Sequence, residues 1–263
     1  MTTRRVADVW NGRLKLRFQV RGTGPDLVFF PSVGVPAEDP LVTALADRHT
    51  VHVPEFPGTG SDASHDIHAV DDWWDVVLAY EEALRQTGLT GVPAVGHGFG
   101  GMLAADLAAS HPDLFSRLVL IGAIGLWSDD APPADWLAAP REELPGLLFA
   151  NRENLPVAAF GPDPETAVEA AVSAMWAMGC AAKFLWPLPE CGLAKRLHRV
   201  AAPTLLLWGE QDRISPVTYA KLFAQHIDGA AVHILPACGH LPQWEAPSDT
   251  ELLVRDFLDE GGE

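Results

Sequence analysis

The segment Val95-Gly96-His97-Gly98-Phe99-Gly100-Gly101 sets four glycines between a short apolar run and a long one. Pro93 to Val95 reads as a buried strand, and Phe99 to Ser110 as a helix rich in Ala and Leu. Glycine at this density belongs where a chain turns sharply and another backbone approaches closely. A strand that feeds a helix through so short a turn is half of a βαβ unit, and such units build parallel sheets.

The same alternation runs along most of the chain. Val6 to Val20 alternates apolar and polar residues around Asn11-Gly12, a hairpin signal. Asp26 to Phe30 is a strand ending at Pro31, and Glu38 to Ala46 a helix leading to the strand His49 to Val53. Asp71 to Gln86 is amphipathic and stops at Gly88. Arg117 to Ile121, Thr204 to Trp208 and Ala231 to Leu235 read as further strands, with helices after Pro216 and around Ser248 to Leu258. The pattern predicts an α/β fold, a mostly parallel sheet with helices on both faces. From about Gly125 to Glu190 it lapses into helix-length pieces without a clear strand. We expect a core domain formed by 1–124 and 191–263, with a helical cap inserted at 125–190.

Composition narrows the functional classes. The 263 residues carry a formal net charge of −17, which disfavours nucleic acid and anionic membranes, since phosphate binding needs clustered cations. Three cysteines, an odd and sparse count, suit a reducing compartment. The polar start at Met1-Thr2-Thr3-Arg4-Arg5 shows no signal peptide, and no apolar run approaches the roughly 20 residues of a bilayer span. A cytoplasmic protein, monomer or homodimer, is expected.

Two more strand ends carry ionisable residues. Asp212 follows the strand ending at Trp208-Gly209, and His240 follows the strand ending at Leu235. Loops beyond the carboxyl ends of an open parallel sheet converge on one edge, so position 98, Asp212 and His240 should meet there. Each alone has a plain structural explanation: a carboxylate capping a loop, or a satisfied buried histidine.

Together the pieces resemble the α/β-hydrolase superfamily over nearly the whole chain. The matching motifs are Gly96-His97-Gly98-Phe99-Gly100-Gly101, Gly209-Glu210-Gln211-Asp212 with Pro216, and Gly239-His240 with Glu245 and Pro247. Glu55-Phe56-Pro57-Gly58-Thr59-Gly60-Ser61 resembles the family's loop after the fourth strand, and Cys238 to Glu245 resembles the His segment of carbon–carbon bond hydrolases. The resemblance implies that position 98 is the nucleophile's, in a G-x-S-x-G elbow. It implies that His240 is the general base and that Asp212 fixes its tautomer. It implies oxyanion donors at the amides of Phe99 and, from the loop after Phe30, Val33.

The chain departs from that pattern twice. Pro31-Ser32-Val33-Gly34 stands where a His-Gly pair is usual, and glycine at 98 has no side chain to attack with. Three readings follow. The chain is a hydrolase scaffold whose serine has been exchanged for glycine, an inactive or trapped form. Or His240 and Asp212 work as a base pair without covalent catalysis, on water or on a substrate proton. Or the scaffold only binds a ligand, as neuroligin-type members with glycine at this position do. Ser32 could supply the missing hydroxyl if it faced His240.

The aromatic content of 125–190 suggests an apolar pocket, with Met175, Trp176, Met178 and Trp186 as lining candidates and a small apolar molecule as partner. Ser32, His97 and Leu241 are further candidates for its wall, and Arg141, Arg152 or Lys183 for meeting a substrate carboxylate. The group His65, Asp66 and His68, with Asp62, Asp71 and Asp72, reads as a solvated loop before a helix rather than a metal site. With no dinucleotide fingerprint or Walker-type loop, no cofactor is expected.

Overall fold

A computed structural model describes residues 2–33, 35, 38–60, 64–140, 142–151, 153, 164–186 and 190–260. Its centre is an eight-stranded sheet in the order β1-β2-β4-β3-β5-β6-β7-β8. The strands are β1 (Thr3–Val9), β2 (Leu14–Arg21), β3 (Asp26–Phe30), β4 (Thr50–Pro54), β5 (Val92–His97), β6 (Phe115–Ile121), β7 (Thr204–Gly209) and β8 (Ala231–Leu235). β1, β2 and β4 pair antiparallel, and every pairing from β4 to β8 is parallel. The expected hairpin forms with Val9 opposite Leu14, so Trp10 to Arg13 make the turn. Trp10, Asn11 and Gly12 there all have positive φ, a conformation Asn and Gly tolerate best.

Central strands are apolar at nearly every position because both faces are covered. Side chains alternate across the sheet, so Val28, Phe30, Leu120, Leu206 and Trp208 enter one core. Leu27, Phe29, Val119, Ile121 and Leu207 enter the other. The first core packs under α2 (Trp73–Gln86), α3 (Gly98–Ser110) and α6 (Thr218–His226). The second packs under α1 (Pro40–Leu45) and the last helix, Pro247–Asp259. α1 begins at Pro40 rather than Glu38 because the Asp39 carboxylate accepts the Leu41 N–H at 2.9 Å and so caps the helix. α2 begins at Trp73 rather than Asp71 for the same reason, with Asp72 accepting from the Asp75 N–H.

The stretch 125–190 holds α4 (Leu144–Leu148) and α5 (Pro164–Leu185), and no strand among its described residues. α5 corrects one expectation. Thr166–Leu185 is long and apolar enough, by length and composition alone, to cross a bilayer. Its alanines raise the mean hydropathy without any long run of large apolar side chains, so no apolar run marks it in the sequence. It is tied to the core: the Trp176 indole N–H donates to Gly58 O at 2.7 Å, and Lys183 Nζ donates to the carbonyls of Ile67 and Val70.

The chain returning from this stretch is anchored by Asp106 of α3, which is fully buried. Its carboxylate accepts two hydrogen bonds from Arg196, each 2.7 Å, and one from the Trp73 indole, also 2.7 Å. Asp106→Ala leaves the guanidinium and the indole without this partner. The expected cost is about 3–5 kcal/mol, read as a lower urea midpoint in equilibrium unfolding.

Candidate active site

The parallel register aligns the strand ends. Phe30 lies beside Gly96, His97 beside Ile121, Ile121 beside Leu207, and Gly209 beside Leu235. The loops carrying Ser32, Asp212 and His240 therefore leave the sheet at the same edge as the β5–α3 turn. That turn is tight. A Cβ on Gly100 would lie 2.1 Å from Phe30 O, so only glycine lets α3 start directly against the end of β3. Gly98, at φ +53, is the first residue of α3.

Asp212 and His240 meet as the sequence predicts. His240 Nδ1 lies 2.8 Å from Asp212 Oδ2; the carboxylate can only accept, so Nδ1 carries the proton and Nε2 is left as the basic nitrogen. Asp212 Oδ1 accepts the amide protons of Ile214 and Ser215 at 2.9 and 2.8 Å, which holds the carboxylate in place beside the ring. Both residues are buried. The His240 loop is held by Glu245, whose Oε2 accepts the Gly239 N–H at 2.6 Å and whose Oε1 accepts from Ala150 at 3.0 Å. The His240 N–H donates to Leu148 O at 2.8 Å.

The space above Gly98 is occupied. A Cβ at this position would lie 2.9 Å from His240 Nε2, 2.5 Å from Ser32 Oγ and 3.0 Å from Ser32 Cβ. The Phe99 N–H donates to Ser32 Oγ at 3.3 Å. Ser32, Val33, Val35 and Phe99 separate two cavities. The larger, about 490 Å³, lies against Phe29, Phe30, Phe56 and Leu103, with Arg4 and Arg21 on its wall. The smaller, about 10 Å³, reaches His240 and is bounded by Trp136, Leu148 and Met178. It is roughly the size of one water molecule.

Several expected wall residues lie elsewhere. Trp176 is 47% exposed, with its indole N–H bonded to Gly58 O, and Trp186 is 57% exposed just past the end of α5. The stretch of α5 facing the larger cavity is Ala170, Ser173, Ala174 and Ala177, while Met175 points outward. Small residues face inward because α5 sits close over the core. Leu241 is sealed in the core and borders neither cavity. Lys183 is engaged by backbone carbonyls, and Asp66 pairs with Arg17 at 2.7 Å. Arg141, Arg152, Gly34, Ser61 and Asp62 fall outside the described residues.

His97, expected at the pocket wall, lies behind it. It is fully buried, and its Nε2–H donates to the His240 carbonyl at 2.9 Å. Gln243 Nε2 donates to His97 Nδ1 at 3.4 Å and to Asp39 Oδ2 at 3.0 Å. Sequence reasoning missed this chain. Asp39 and Gln243 are 204 residues apart, and no local pattern links them. Burial, reinforced by the charge of His240 and opposed by the bond to its carbonyl, lowers the His97 pKa to about 3. Burial also raises the Asp39 carboxyl to about 6, against the hydrogen bonds from Gln243, Leu41 and Val42.

Two predictions follow from these contacts. Gly98→Ala should cost about 1–3 kcal/mol in urea unfolding, from the positive φ and the overlap with Ser32 Oγ. Part of that loss should return in the double variant with Ser32→Ala; strictly additive costs would refute the overlap. The second concerns pH. Between pH 6.5 and about 3 the unfolded chain protonates His97 and the folded chain does not, so stability falls as pH falls. Between 3.8 and about 6 the folded chain holds the Asp39 proton and the unfolded chain does not, so stability falls as pH rises. His97→Asn should remove the first slope and Asp39→Asn the second, measured by urea unfolding at a series of pH values. Slopes unchanged in these variants would contradict the assignment.

Comparison with known proteins agrees with this architecture. A sequence model described as "Alpha/beta hydrolase family" matches residues 25–251. The chain is 30% identical to a 2-hydroxymuconate semialdehyde hydrolase of Pseudomonas sp. (strain CF600), over 88% of this chain and 87% of that one. It is 28% identical to a 2-hydroxy-6-oxononadienedioate/2-hydroxy-6-oxononatrienedioate hydrolase of Comamonas testosteroni, over 64% of this chain and 62% of that protein. A solved structure of the meta-cleavage product hydrolase CumD, from Pseudomonas fluorescens IP01, has the same fold, with a TM-score of 0.75, 21% identity and 98% of both chains covered. A family match across most of the sequence, on a sheet of this order, means that the chain belongs to the alpha/beta hydrolase family.

Proposed function

We propose that this chain hydrolyses an ester, lactone or carbon–carbon bond beside a carbonyl in a small apolar substrate. His240 is the general base, Asp212 orients it, and position 98 contributes no side chain. The observation that carries the proposal is the bond from His240 Nδ1 to Asp212 Oδ2, with Nε2 only 2.9 Å from the point where a residue-98 side chain would begin. A buried carboxylate–imidazole pair is costly unless it has work to do, which weighs against a scaffold that only binds. A serine simply deleted from the elbow would leave a hole. Here Ser32 Oγ fills that space, which weighs against an inactive or trapped form.

The substrate lies in the 490 Å³ cavity, a volume that suits a small ligand, and the 125–190 stretch serves as its cap. The relatives act on 2-hydroxymuconate semialdehyde and 2-hydroxy-6-oxo-dienedioates, compounds with a carboxylate and a ketone or aldehyde carbonyl. On the cavity wall Arg4 lies 3.9 Å from Glu55 and Arg21 3.7 Å from Glu38, so their positive charge is shared with carboxylates already present. A hydroxyl oxygen bonds to the carbonyl carbon and its proton passes to His240 Nε2. The amides of Phe99 and Val33 stabilise the resulting oxyanion, and its collapse returns that proton to the departing group.

The test is turnover of aryl esters, lactones and 2-hydroxy-6-oxo-dienoates. Asp212→Asn should lower kcat roughly 10⁴-fold by releasing the wrong tautomer, and His240→Ala should lower it at least as far. Turnover unchanged in His240→Ala, or ligand binding with no turnover by the unmutated chain, would refute the proposal.

A further inference from the structure

We propose that Ser32 is the nucleophile of this site, its hydroxyl supplied by the loop after β3 instead of by the elbow. This rests on His240 being the base. Four observations point to it. Ser32 borders both cavities, whereas Gly98 borders neither. Ser32 Oγ lies 2.5 Å from the point where a residue-98 Cβ would sit, and His240 Nε2 lies 2.9 Å from the same point. The hydroxyl accepts from the Phe99 N–H at 3.3 Å and so sits beside the amide that receives an oxyanion. Accepting that bond leaves its own proton free to be given to a base.

The position also explains the glycine. A side chain at 98 would overlap Ser32 Oγ, so the two residues form an exchange: the elbow gives up its side chain and the neighbouring loop fills the space with a hydroxyl. In the resting arrangement Oγ is held by the Phe99 amide, and the proposal requires that a χ1 change between staggered wells carry it to His240. A nucleophile and the oxyanion it creates are bonded to one carbon and lie side by side, so one amide proton can serve first one and then the other.

In the first step Ser32 Oγ bonds to the substrate carbonyl carbon and its proton passes to His240 Nε2. The carbonyl electron pair becomes an oxyanion held by the Phe99 N–H. Collapse breaks the bond to the leaving group, which takes the proton from His240. Water then attacks the acylated Ser32 by the same route, giving its proton to His240, and the Ser32 hydroxyl is restored with release of the acid.

The experiment is labelling of the full chain with an alkyl fluorophosphonate, read by intact mass and peptide mapping. The reagent forms an O–P bond to an activated hydroxyl and loses fluoride, with the proton going to the base. Trypsin releases residues 22–48 as one peptide, in which Ser32 is the sole serine, and residues 86–117 as another, which holds position 98. We expect one adduct, on the 22–48 peptide, forming at least 100-fold more slowly in His240→Ala and absent in Ser32→Ala. Mapping the unmutated chain needs no variant to fold. No adduct there, with an adduct on 86–117 in the double variant Ser32→Ala, Gly98→Ser, would overturn Ser32 as nucleophile and leave His240 as a base acting on water. No adduct in either protein would overturn both assignments.

Discussion

The close approach of α3 to the end of β3 governs the geometry of this site. With Gly100 packed against Phe30 O, the first turn of α3 starts at the edge of the sheet, and its free amides face the loop that leaves β3. This contact brings the Phe99 N–H to Ser32 Oγ. A Cβ on Gly100 would push the helix off the strand and separate the two halves of the site.

The base is secured from two sides. Asp212 holds the ring through Nδ1 while two amides hold Asp212, so the imidazole keeps one tautomer and one orientation. Behind it, His97 accepts a hydrogen bond from Gln243 at Nδ1 and donates one from Nε2–H to the His240 carbonyl, which requires a neutral ring. Burial favours that neutral state, so the electrostatics and the hydrogen-bond pattern agree. A charged His97 would stand 4.8 Å, ring to ring, from His240 and would oppose protonation of the base.

The helix over the larger cavity turns alanine and serine to it, which leaves room beneath, while Met178 borders the smaller cavity, Phe184 packs into the core, and Val168, Val172 and Met175 face out at 62%, 62% and 64% exposure. The aromatic walls come instead from the core, from Phe29, Phe30 and Phe56. Within 125–190, Trp136, Phe149 and Phe184 turn inward while Trp127, Trp176 and Trp186 are exposed, so aromatic content alone does not say which side a ring occupies.

The α/β class, the strand order along the chain and the meeting of Asp212 with His240 were legible without coordinates. Each depends on local periodicity and on residues placed at strand ends, where parallel topology forces convergence. The glycine at 98 and the unusual Ser32-Val33 loop were equally visible as departures. Ser32 was a candidate for the missing hydroxyl, but whether it meets position 98 was not legible, because the two lie 66 positions apart and touch only after β3 and β5 pair in register. The Asp39–Gln243–His97 chain and the outward tryptophans were hidden for the same reason. Sequence records which groups exist and which face of an element they share; only the packed sheet, by fixing register and the distance between backbones, decides which of them meet.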